Sequence, residues 1–217
     1  MSENKNLENL RREYMQPAFH KENTKDSPLE QFILWFDQAA ECEIDDVNSM
    51  HLATVSATGA PSVRVVLLKG IENGKFVFYT NYQSQKGKEI DNNPRVALNF
   101  YWPTLSRQVK VEGVAERVDE EVSTNYFQSR PKGSQIGAWA SPQSAVIKDR
   151  SVLEERARQM EEKFKDAEVL PRPKQWGGYA VIPHAIEFWQ GRPNRLHDRI
   201  LYVLDENNTW KKQRLAP

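Results

Sequence analysis

The feature that most restricts the fold is a series of short segments in which apolar and polar residues alternate with a period of two. Three such segments follow one another, at residues 50–56, 61–69 and 75–80. This alternation places one face of a β-strand against a core and the other face toward water. The connections Ala57-Thr-Gly-Ala60 and Glu72-Asn-Gly74 are short, and Asn-Gly is typical of a hairpin turn. The sequence therefore predicts antiparallel strands joined by tight turns.

The rest of the chain shows further strands and a smaller number of helices. Strands are predicted at residues 95–102, 107–117, 179–182, 185–190, 199–204 and 209–214. Helices are predicted at about residues 7–14, 27–43, 83–92, 119–128, 135–139 and 149–164. Ser27-Pro-Leu-Glu30 has the residues of a capping box, with proline at the first helical position.

This order of elements predicts a mainly β fold of the α+β class, an antiparallel barrel with peripheral helices. A Rossmann domain is not expected, because no strand-helix-strand alternation carries a glycine-rich turn. Residues 1–26 are polar and charged and predict a mobile N-terminal arm. Residues 27–217 are predicted to form one domain, since they contain no internal repeat, low-complexity tract or clear linker.

The composition excludes several classes of protein. Lysine and arginine total 30, as do aspartate and glutamate, so the net charge is zero and any anion site must be local. This balance gives no electrostatic reason to expect nucleic acid as a partner. Cys42 is the single cysteine, which excludes an internal disulfide and fits a reducing cytosol. No apolar run approaches the length of a membrane span, and a cytoplasmic location is expected.

The richest candidate site is the segment that runs from Ile186 to Arg199. It places Arg195, His197 and Arg199 at alternate positions, so an extended backbone would direct all three side chains to one face. A solvated strand end is the alternative. The neighbouring Trp189 and the tight turn around residues 191–193 favour a site in which cations hold an anionic ligand beside a proton-transfer group.

Two other segments have features of anion sites. Arg64 and Lys69 flank the apolar run at residues 65–68, and a buried charge is unfavourable unless it lies at a strand end or meets a counter-charge. Ser84-Gln-Lys86 lies where a strand turns into a helix, and the free N–H groups there suit a phosphate. The alternative is an ordinary helix cap followed by a solvated lysine.

Two weaker candidates complete the set. Tyr126, Arg130 and Ser134 supply one cation and two hydroxyls, which suit a phosphate, although Arg130-Pro131 is equally compatible with a simple helix end. Gln108 has an amide that offers both a hydrogen-bond donor and an acceptor, and its alternative is an exposed strand position. The histidines outside the C-terminal segment have no ligand spacing, so no metal site is expected.

Three motifs occur in one order: Arg64-Val-Val-Leu-Leu-Lys69, Ser134-Gln-Ile-Gly-Ala-Trp139 and the segment from Ile186 to Arg199. Together they resemble the pyridoxine 5'-phosphate oxidase family, FMN enzymes that make pyridoxal 5'-phosphate. The resemblance extends from Arg11-Arg-Glu-Tyr14 to Arg214-Leu-Ala-Pro217. It implies a split antiparallel barrel formed as a homodimer, with FMN as cofactor and active sites at the subunit interface.

The resemblance also implies roles for individual residues. The residues expected to contact FMN are Arg64, Val65, Val66, Leu67, Leu68, Lys69, Tyr79, Thr80, Gln85, Lys86, Gln108, Gln143, Ser144, Trp189 and Arg199. Those expected to contact the substrate are Lys69, Tyr126, Arg130, Ser134, Arg195, Leu196 and His197, with Arg11, Arg12, Glu13 and Tyr14 as a lid. Gln85 stands where a basic residue is expected, which predicts that one phosphate contact is weak or neutral.

The implied reaction is oxidation of the 4'-alcohol of pyridoxine 5'-phosphate, or the 4'-amine of pyridoxamine 5'-phosphate, to an aldehyde. Hydride would pass to flavin N5, and O2 would then reoxidise the flavin and yield hydrogen peroxide. Arg195 and His197 are the expected catalytic residues: Arg195 to orient the substrate and stabilise developing negative charge, His197 to bind the pyridine or move a proton. The alternatives are a related FMN oxidase with another substrate, as in phenazine biosynthesis, and a non-catalytic flavin- or pyridoxal-phosphate-binding protein.

Overall fold

The computed structural model describes Tyr14 and residues 16–217. Within this part of the chain the elements are, in order, α1 (Pro28–Glu41), β1 (Ser49–Val55), β2 (Pro61–Leu67), β3 (Gly70–Glu72), β4 (Lys75–Asn81), α2 (Gln85–Asn92), β5 (Arg95–Trp102), β6 (Arg107–Arg117), α3 (Glu120–Ser129), α4 (Lys132–Ala140), α5 (Ser151–Lys163), β7 (Trp176–Gln190), β8 (Asp198–Leu204) and β9 (Trp210–Leu215). Short 3-10 turns lie at Lys21–Asn23 and Pro193–Arg195.

The chain divides into two compact units. The first takes its described residues from the ranges Met1–Val47, Asn99–Val111 and Ala185–Pro217, and the second consists of Asn48–Leu98 and Glu112–His184. Strands β5, β6 and β7 have residues in both units.

The described strands form one nine-stranded sheet. Along its main path the strand order is β2-β1-β5-β6-β7-β4-β3, and the pairings of β1 with β2, β3 with β4 and β4 with β7 are antiparallel. Off this path, β8 pairs antiparallel with β7 and β9 pairs antiparallel with β8. The register places Arg199 opposite Trp189 and Arg64 opposite Leu52, which fixes the strand positions of two candidate site residues.

Aromatic side chains form the core of the first unit. Phe32 and Trp35 lie on the apolar face of α1 and are buried. The ring of Phe32 packs edge-on against Phe100, with ring centres 4.9 Å apart, and Trp35 packs edge-on against Phe188 at 5.3 Å. Such contacts combine a large buried apolar area with favourable ring geometry. They hold α1 against β5 and β7, and β7 carries the candidate residue Trp189.

A separate apolar cluster stabilises the helical part of the second unit. Its buried members are Phe127, Ile136, Phe164, Leu170 and Trp176. These residues come from α3, α4, the end of α5, the following loop and the start of β7. The cluster therefore fixes the α3–α4 corner, where Arg130 lies, relative to the strands of this unit.

The structure confirms most of the predicted elements. The strands predicted at residues 95–102 and 107–117 match β5 and β6 at both ends. The capping prediction is also confirmed, because the Ser27 hydroxyl accepts a hydrogen bond from the Glu30 N–H. The remaining predicted elements of the described chain shift by a few residues, and the prediction omitted β3. None of the described helices has the length and apolarity that a membrane span requires.

One strand prediction was wrong. The two strands expected at residues 179–182 and 185–190 form the single strand β7. Pro183 lies between the part of β7 that pairs with β4, up to Val181, and the part that pairs with β8, from Ala185. The N–H that proline lacks is therefore not needed in either of these ladders, and the strand passes through it. The helix predicted at residues 7–14 lies, apart from Tyr14, outside the described residues.

Candidate functional site

A cavity of about 670 Å³ in the second unit collects residues from both predicted ligand sets. Those expected to contact FMN are Val65, Val66, Leu67, Lys69, Tyr79, Thr80, Lys86 and Gln143, and those expected to contact substrate are Lys69, Tyr126, Arg130 and Ser134. Because these residues come from β2, β4, α2, α3, α4 and the loops beside them, no single sequence segment marks the cavity.

One end of the cavity lies at the start of α2. Ser84 caps the helix by accepting a hydrogen bond from the Gly87 N–H at 3.3 Å. The Lys86 ammonium donates to the Gln143 side-chain oxygen at 3.3 Å, and the Thr80 hydroxyl donates to the same oxygen at 3.1 Å. Burial lowers the pKa of Lys86, and the charge of Arg64 lowers it further against the opposing effect of Glu89. A buried ammonium beside a helix N-terminus suits an anionic group such as a phosphate.

Gly87 makes this helix start possible. A Cβ atom at this position would lie 2.1 Å from the backbone oxygen of Tyr82, a distance that real side chains do not tolerate. Glycine therefore allows the first turn of α2 to approach the preceding loop closely. The result is that the N–H groups of the helix start and the Lys86 side chain are held beside the cavity.

Arg64 has protein partners of its own. It lies within β2, and it is not among the residues that line the cavity. Its guanidinium donates to the Leu52 backbone oxygen at 3.1 Å, to the hydroxyls of Thr54 and Ser62, and to the Glu89 carboxylate at 3.2 Å. Lys69, by contrast, follows the end of β2 and lines the cavity. The two cations that flank the apolar run thus have different surroundings.

The other end of the cavity is aromatic and cationic. Tyr126 stacks on Tyr79 with ring centres 3.9 Å apart, and Tyr79 stacks on Trp176 at 5.4 Å. The Arg130 guanidinium lies over the Trp176 ring, 4.7 Å from its centre. Burial lowers the pKa of Arg130 and the Tyr126 charge opposes this effect, but a guanidinium remains cationic in proteins.

Arg130 has an unsatisfied donor. Its Nη1 atom is buried and has no hydrogen-bond partner among the described residues. A buried donor of a charged group without an acceptor is unfavourable by about 1 to 3 kcal/mol or more. An anionic oxygen in the cavity would supply the missing acceptor. The residues present therefore fit a ligand with a phosphate group at this end as well as at the α2 end.

Gln135 controls the position of Arg130, a role that no sequence pattern assigns to it. Its side-chain amide donates to the Arg130 backbone oxygen at 2.7 Å and to the Gln128 backbone oxygen at 3.2 Å. These bonds close the turn between α3 and α4. Gln135 lies within a motif that carries the family resemblance, Ser134-Gln-Ile-Gly-Ala-Trp139, but a buried glutamine has no sequence pattern that would reveal its partners.

The second group of candidate residues lies in the first unit, around His197. The Arg192 backbone N–H donates to Nδ1 of His197 at 3.1 Å. The His197 ring packs against Trp189 and Tyr14, with ring centres 4.6 and 5.4 Å away. Burial lowers the pKa of His197, the charge of Arg195 lowers it further, and Asp198 opposes both. The geometry therefore favours a neutral imidazole whose proton is on Nε2.

Arg195 lies in a constrained backbone conformation. Asn194 and Arg195 have φ values of 56° and 60°, in the left-handed region that residues with a Cβ rarely adopt. The Arg195 side chain is exposed and has no hydrogen bond or ion pair with any other described residue. Strained backbone of this kind is frequent at functional sites, where it directs a side chain. Arg195 thus presents a free guanidinium close enough to lower the pKa of His197.

Tyr14 packs edge-on against both His197 and Trp189. A Cβ atom on Gly191 would lie 2.6 Å from Cδ1 of Tyr14, so glycine leaves the space that the tyrosine ring occupies. The buried carboxylate of Asp198 accepts the Phe19 N–H at 3.0 Å and pairs with Arg192 at 3.3 Å. Arg11, Arg12 and Glu13, the other expected lid residues, lie outside the described residues.

The remaining predicted residues have varied surroundings. Arg199 pairs with the buried Glu187 at 2.6 Å and donates to the Ala216 backbone oxygen at 2.9 Å. Gln85 donates to the Glu89 carboxylate at 2.9 Å. Gln108 is half-buried on β6, Leu68 is buried, and Ser144 and Leu196 are exposed.

The cavity residues and the residues around His197 both lie in segments that match the profiles of known protein families. The profile of the family "Pyridoxamine 5'-phosphate oxidase" matches residues 36–164, more than half of the chain. The chain belongs to the pyridoxamine 5'-phosphate oxidase family. A second profile, "Pyridoxine 5'-phosphate oxidase C-terminal dimerisation region", matches residues 176–217. The family resemblance inferred from the motifs is confirmed, and with it the prediction of an oxidoreductase.

Curated relatives agree with this membership of the pyridoxamine 5'-phosphate oxidase family. The pyridoxine/pyridoxamine 5'-phosphate oxidase of Salinibacter ruber is 49% identical over 212 residues, which cover 97% of this chain and 99% of the relative. That of Crocosphaera subtropica is 51% identical over 210 residues, with 96% and 98% covered. The similarity therefore extends over both units rather than one motif.

Solved structures confirm the fold class, an antiparallel split barrel with peripheral helices. PhzG from Burkholderia lata 383, in complex with tetrahydrophenazine-1-carboxylic acid, superposes with a TM-score of 0.86 at 26% identity and covers 93% of this chain and 99% of PhzG. A pyridoxamine 5'-phosphate oxidase-related, FMN binding protein from Nostoc punctiforme has a TM-score of 0.69 at 16% identity, with 88% and 98% covered. The second likeness is evidence for the fold alone.

Proposed function

We propose that this chain oxidises pyridoxine 5'-phosphate and pyridoxamine 5'-phosphate to pyridoxal 5'-phosphate, with FMN as cofactor and O2 as final electron acceptor. The alcohol substrate and O2 give the aldehyde and hydrogen peroxide. The amine substrate also consumes water and releases ammonia. Relatives about half identical over nearly the full chain are named for these substrates, which supports the choice.

The observation that supports the proposal most strongly is the pair of cations lining one cavity, the buried Lys86 and the half-buried Arg130. FMN and the substrate each carry a phosphate, so a site for both needs two separate anion-binding ends. We assign the cofactor phosphate to Lys86 and the helix start, with Thr80 and Gln143 beside them. We assign the substrate phosphate to Arg130, whose unpaired Nη1 needs an acceptor.

The neighbours of Arg130 complete the substrate end. Tyr126 and Ser134 line the cavity on either side of Arg130 in the chain and supply hydroxyl groups. Lys69 lines the same cavity and is assigned to both ligands. A guanidinium held by an aromatic face and flanked by hydroxyls binds a phosphate with charge-assisted hydrogen bonds.

His197 and Arg195 are assigned to the reacting end of the substrate. His197 accepts the Arg192 N–H at Nδ1, so its neutral form presents Nε2–H as a hydrogen-bond donor. It would orient the substrate ring or exchange a proton at Nε2. Arg195 would stabilise negative charge that develops at the substrate oxygen when its proton leaves.

When bound, FMN supplies the hydride acceptor and the route by which electrons reach oxygen. The chain's own residues fix its position. Trp189 is assigned to pack beside the ring system, Gln108 to hydrogen-bond its polar edge, and Arg199 to add a cation. Glu187 and the Ala216 backbone oxygen hold the Arg199 side chain in one orientation.

We further propose a cytoplasmic homodimer with active sites completed at the subunit interface. The C-terminal profile that matches residues 176–217 is described as a dimerisation region, which supports the dimer. This segment also contains Arg195 and His197. Residues 11–13 would join Tyr14 as a lid that excludes water from the reacting groups.

A phenazine-type substrate is the second candidate, because PhzG shares the fold at 26% identity. The relatives named for vitamin B6 phosphates reach 49% and 51%, and this difference favours the B6 substrates. The deciding experiment mixes the FMN-loaded chain anaerobically with pyridoxine 5'-phosphate and follows flavin absorbance. Bleaching that air reverses, with formation of pyridoxal 5'-phosphate, is expected. An unchanged spectrum with bound flavin would contradict the proposal.

The same assay separates catalysis from simple binding. A non-catalytic flavin- or pyridoxal-phosphate-binding protein would retain its ligand without turnover. Arg195→Met is expected to abolish reduction of the flavin while FMN stays bound. A wild-type chain that binds FMN and never reduces it would instead favour the binding protein.

A further inference from the structure

Glu89 is a buried carboxylate on α2 that has no role in the proposed reaction. Its Oε2 atom accepts hydrogen bonds from the hydroxyls of Thr54, at 2.5 Å, and Ser62, at 2.7 Å. Its Oε1 atom accepts one from the Gln85 amide at 2.9 Å. The Arg64 guanidinium lies 3.2 Å from Oε2. Four donors from β1, β2 and α2 thus converge on one carboxylate.

These donors keep Glu89 ionised. Burial is the largest influence on its pKa and raises it, but the hydrogen bonds from Thr54, Ser62 and Gln85 and the charge of Arg64 together lower the pKa to about 2. The carboxylate is therefore an anion throughout the physiological pH range. A permanently charged carboxylate beside an anion-binding site would repel an anionic ligand. Its presence is explained if it positions the cations that bind that ligand.

Glu89 connects the two cations near this end of the cavity. Arg64 and Val66 are two residues apart on β2, so their side chains lie on the same face of the strand. Val66 lines the cavity. Lys86 and Glu89 lie on α2, and the pKa of Lys86 responds to the charges of both Arg64 and Glu89. The carboxylate holds Arg64 against the helix that carries Lys86 and offsets the repulsion between the two cations.

The side chain of Gln85 contacts the Glu89 carboxylate and does not line the cavity. It lies four residues before Glu89 on α2, a spacing at which helical side chains meet, and its amide donates to Oε1. Gln85 is not among the residues that line the cavity. A neutral donor at this position satisfies the second oxygen of Glu89 without adding a third cation.

We propose that Glu89 is a positioning residue for the phosphate group of the cofactor: it fixes Arg64 beside the α2 end of the cavity, and Gln85 acts through Glu89. The inference rests on the proposed function, since it requires FMN as the ligand at this end. It also gives Gln85 a role in place of the missing basic residue.

The test measures binding rather than turnover. The full-length chain is stripped of flavin and titrated with FMN and, separately, with riboflavin, which lacks the phosphate; quenching of flavin fluorescence reports the Kd. Glu89→Gln is expected to weaken FMN binding about tenfold, the effect of losing one charge-assisted contact, and to leave riboflavin binding unchanged. Glu116→Gln is the matched control, because it removes the same charge from an ion pair with Lys75 outside the cavity.

Gln85→Ala supplies the second variant. It keeps the charge of Glu89 and removes one donor, so a smaller loss of FMN affinity is expected, again without effect on riboflavin. Because Gln85 acts through Glu89, the double variant should bind FMN no more weakly than Glu89→Gln alone. Should Glu89→Gln fail to fold, as judged by thermal unfolding, Gln85→Ala still gives the FMN-to-riboflavin comparison.

Several outcomes would overturn the inference. Equal weakening of FMN and riboflavin would mean that Glu89 only supports the fold, and tighter FMN binding in Glu89→Gln would mean that it competes with the phosphate. Additive losses in the double variant would show that Gln85 acts independently. A wild-type chain that does not prefer FMN over riboflavin would contradict the proposed function, whereas an unchanged preference in the variants would contradict only the role of Glu89.

Discussion

The backbone N–H of Arg192 donates a hydrogen bond to Nδ1 of His197, at a distance of 3.1 Å. This contact requires an unprotonated Nδ1, so the neutral ring carries its proton on Nε2. Protonation of Nδ1 would place two donors face to face and break the bond. The contact and the lowered pKa of His197 favour the same state, a neutral imidazole that donates from Nε2.

The first prediction concerns the charge of Arg195. Burial and Arg195 both lower the pKa of His197, so Arg195→Gln should raise it toward the ordinary value of 6.5 while the effect of burial remains. Long-range proton-nitrogen NMR across a pH series would report both the pKa and the tautomer. Arg150→Gln, which changes an exposed arginine in an ion pair with Glu154, should leave the His197 titration in place. A titration unaffected by Arg195→Gln would show that the two side chains do not interact in solution.

The second prediction concerns Arg130. Arg130→Met removes the guanidinium with the unpaired Nη1 while retaining a side chain that packs on Trp176. We expect kcat/KM for pyridoxine 5'-phosphate to fall about 100-fold, the size expected when a charge-assisted phosphate contact of about 3 kcal/mol is lost. FMN affinity should stay the same, because the cofactor phosphate is assigned to the Lys86 end. Steady-state kinetics and flavin titration measure the two effects separately.

The matched control for Arg130 is Lys132, an exposed cation on the same turn whose ammonium lies near the backbone oxygens of Lys165 and Ala167. Lys132→Met should leave kcat/KM unchanged. If the lysine variant lost as much activity as the arginine variant, general electrostatic attraction rather than a specific contact would account for the effect.

Local patterns allowed much of the fold to be predicted from the sequence. The alternation in β5 and β6 gave both ends of each strand, and Ser27 marked the start of α1, because strand periodicity and helix capping depend on neighbouring residues. The continuous strand β7 was missed because Pro183 is a local signal against a strand. Whether the missing N–H of the proline breaks the strand depends on where β4 and β8 pair with β7 on either side of it. That information is not local.

The candidate site was predicted as residue types but not as contacts. Lys69, Lys86 and Arg130 were named, and the structure brings them to one cavity. The partners of Arg64 were not predictable, because Glu89 has no motif and meets Arg64 only through the packing of α2 on the sheet. The same reason accounts for Gln135, whose amide closes a turn through two backbone oxygens.

The third prediction uses two glycines at similar places in helices. Gly87→Ala would bring Cβ within 2.1 Å of the Tyr82 backbone oxygen, which cannot move aside as a flexible side chain can. We expect a loss of about 3 kcal/mol in the free energy of unfolding and weakened FMN binding, since the start of α2 must shift. Chemical denaturation and flavin titration measure these effects.

Gly133, in the first turn of α4, has nothing within 4 Å of an added Cβ. Gly133→Ala should therefore leave stability the same or raise it by about 0.5 to 1 kcal/mol, because alanine favours the helix. Comparable destabilisation by both substitutions would contradict the close approach between Gly87 and Tyr82.

The fourth prediction concerns stability at low pH. The pKa of Glu89 is lowered from 4.5 to about 2 in the folded chain, so the folded state holds fewer protons on this group than the unfolded state between these values. The ionised carboxylate therefore stabilises the fold fully above pH 4.5, and this contribution is lost as the pH falls toward 2.

Glu89→Gln should be less stable than wild type by about 2 kcal/mol at neutral pH, a value typical of a buried charged hydrogen-bonded group. Urea denaturation at a series of pH values should show that difference shrinking below pH 4.5. Glu116→Gln, in a partly exposed pair with Lys75, should show little difference at any pH. A Glu89→Gln difference that stays constant down to pH 2 would mean that the charge of the carboxylate does not stabilise the fold.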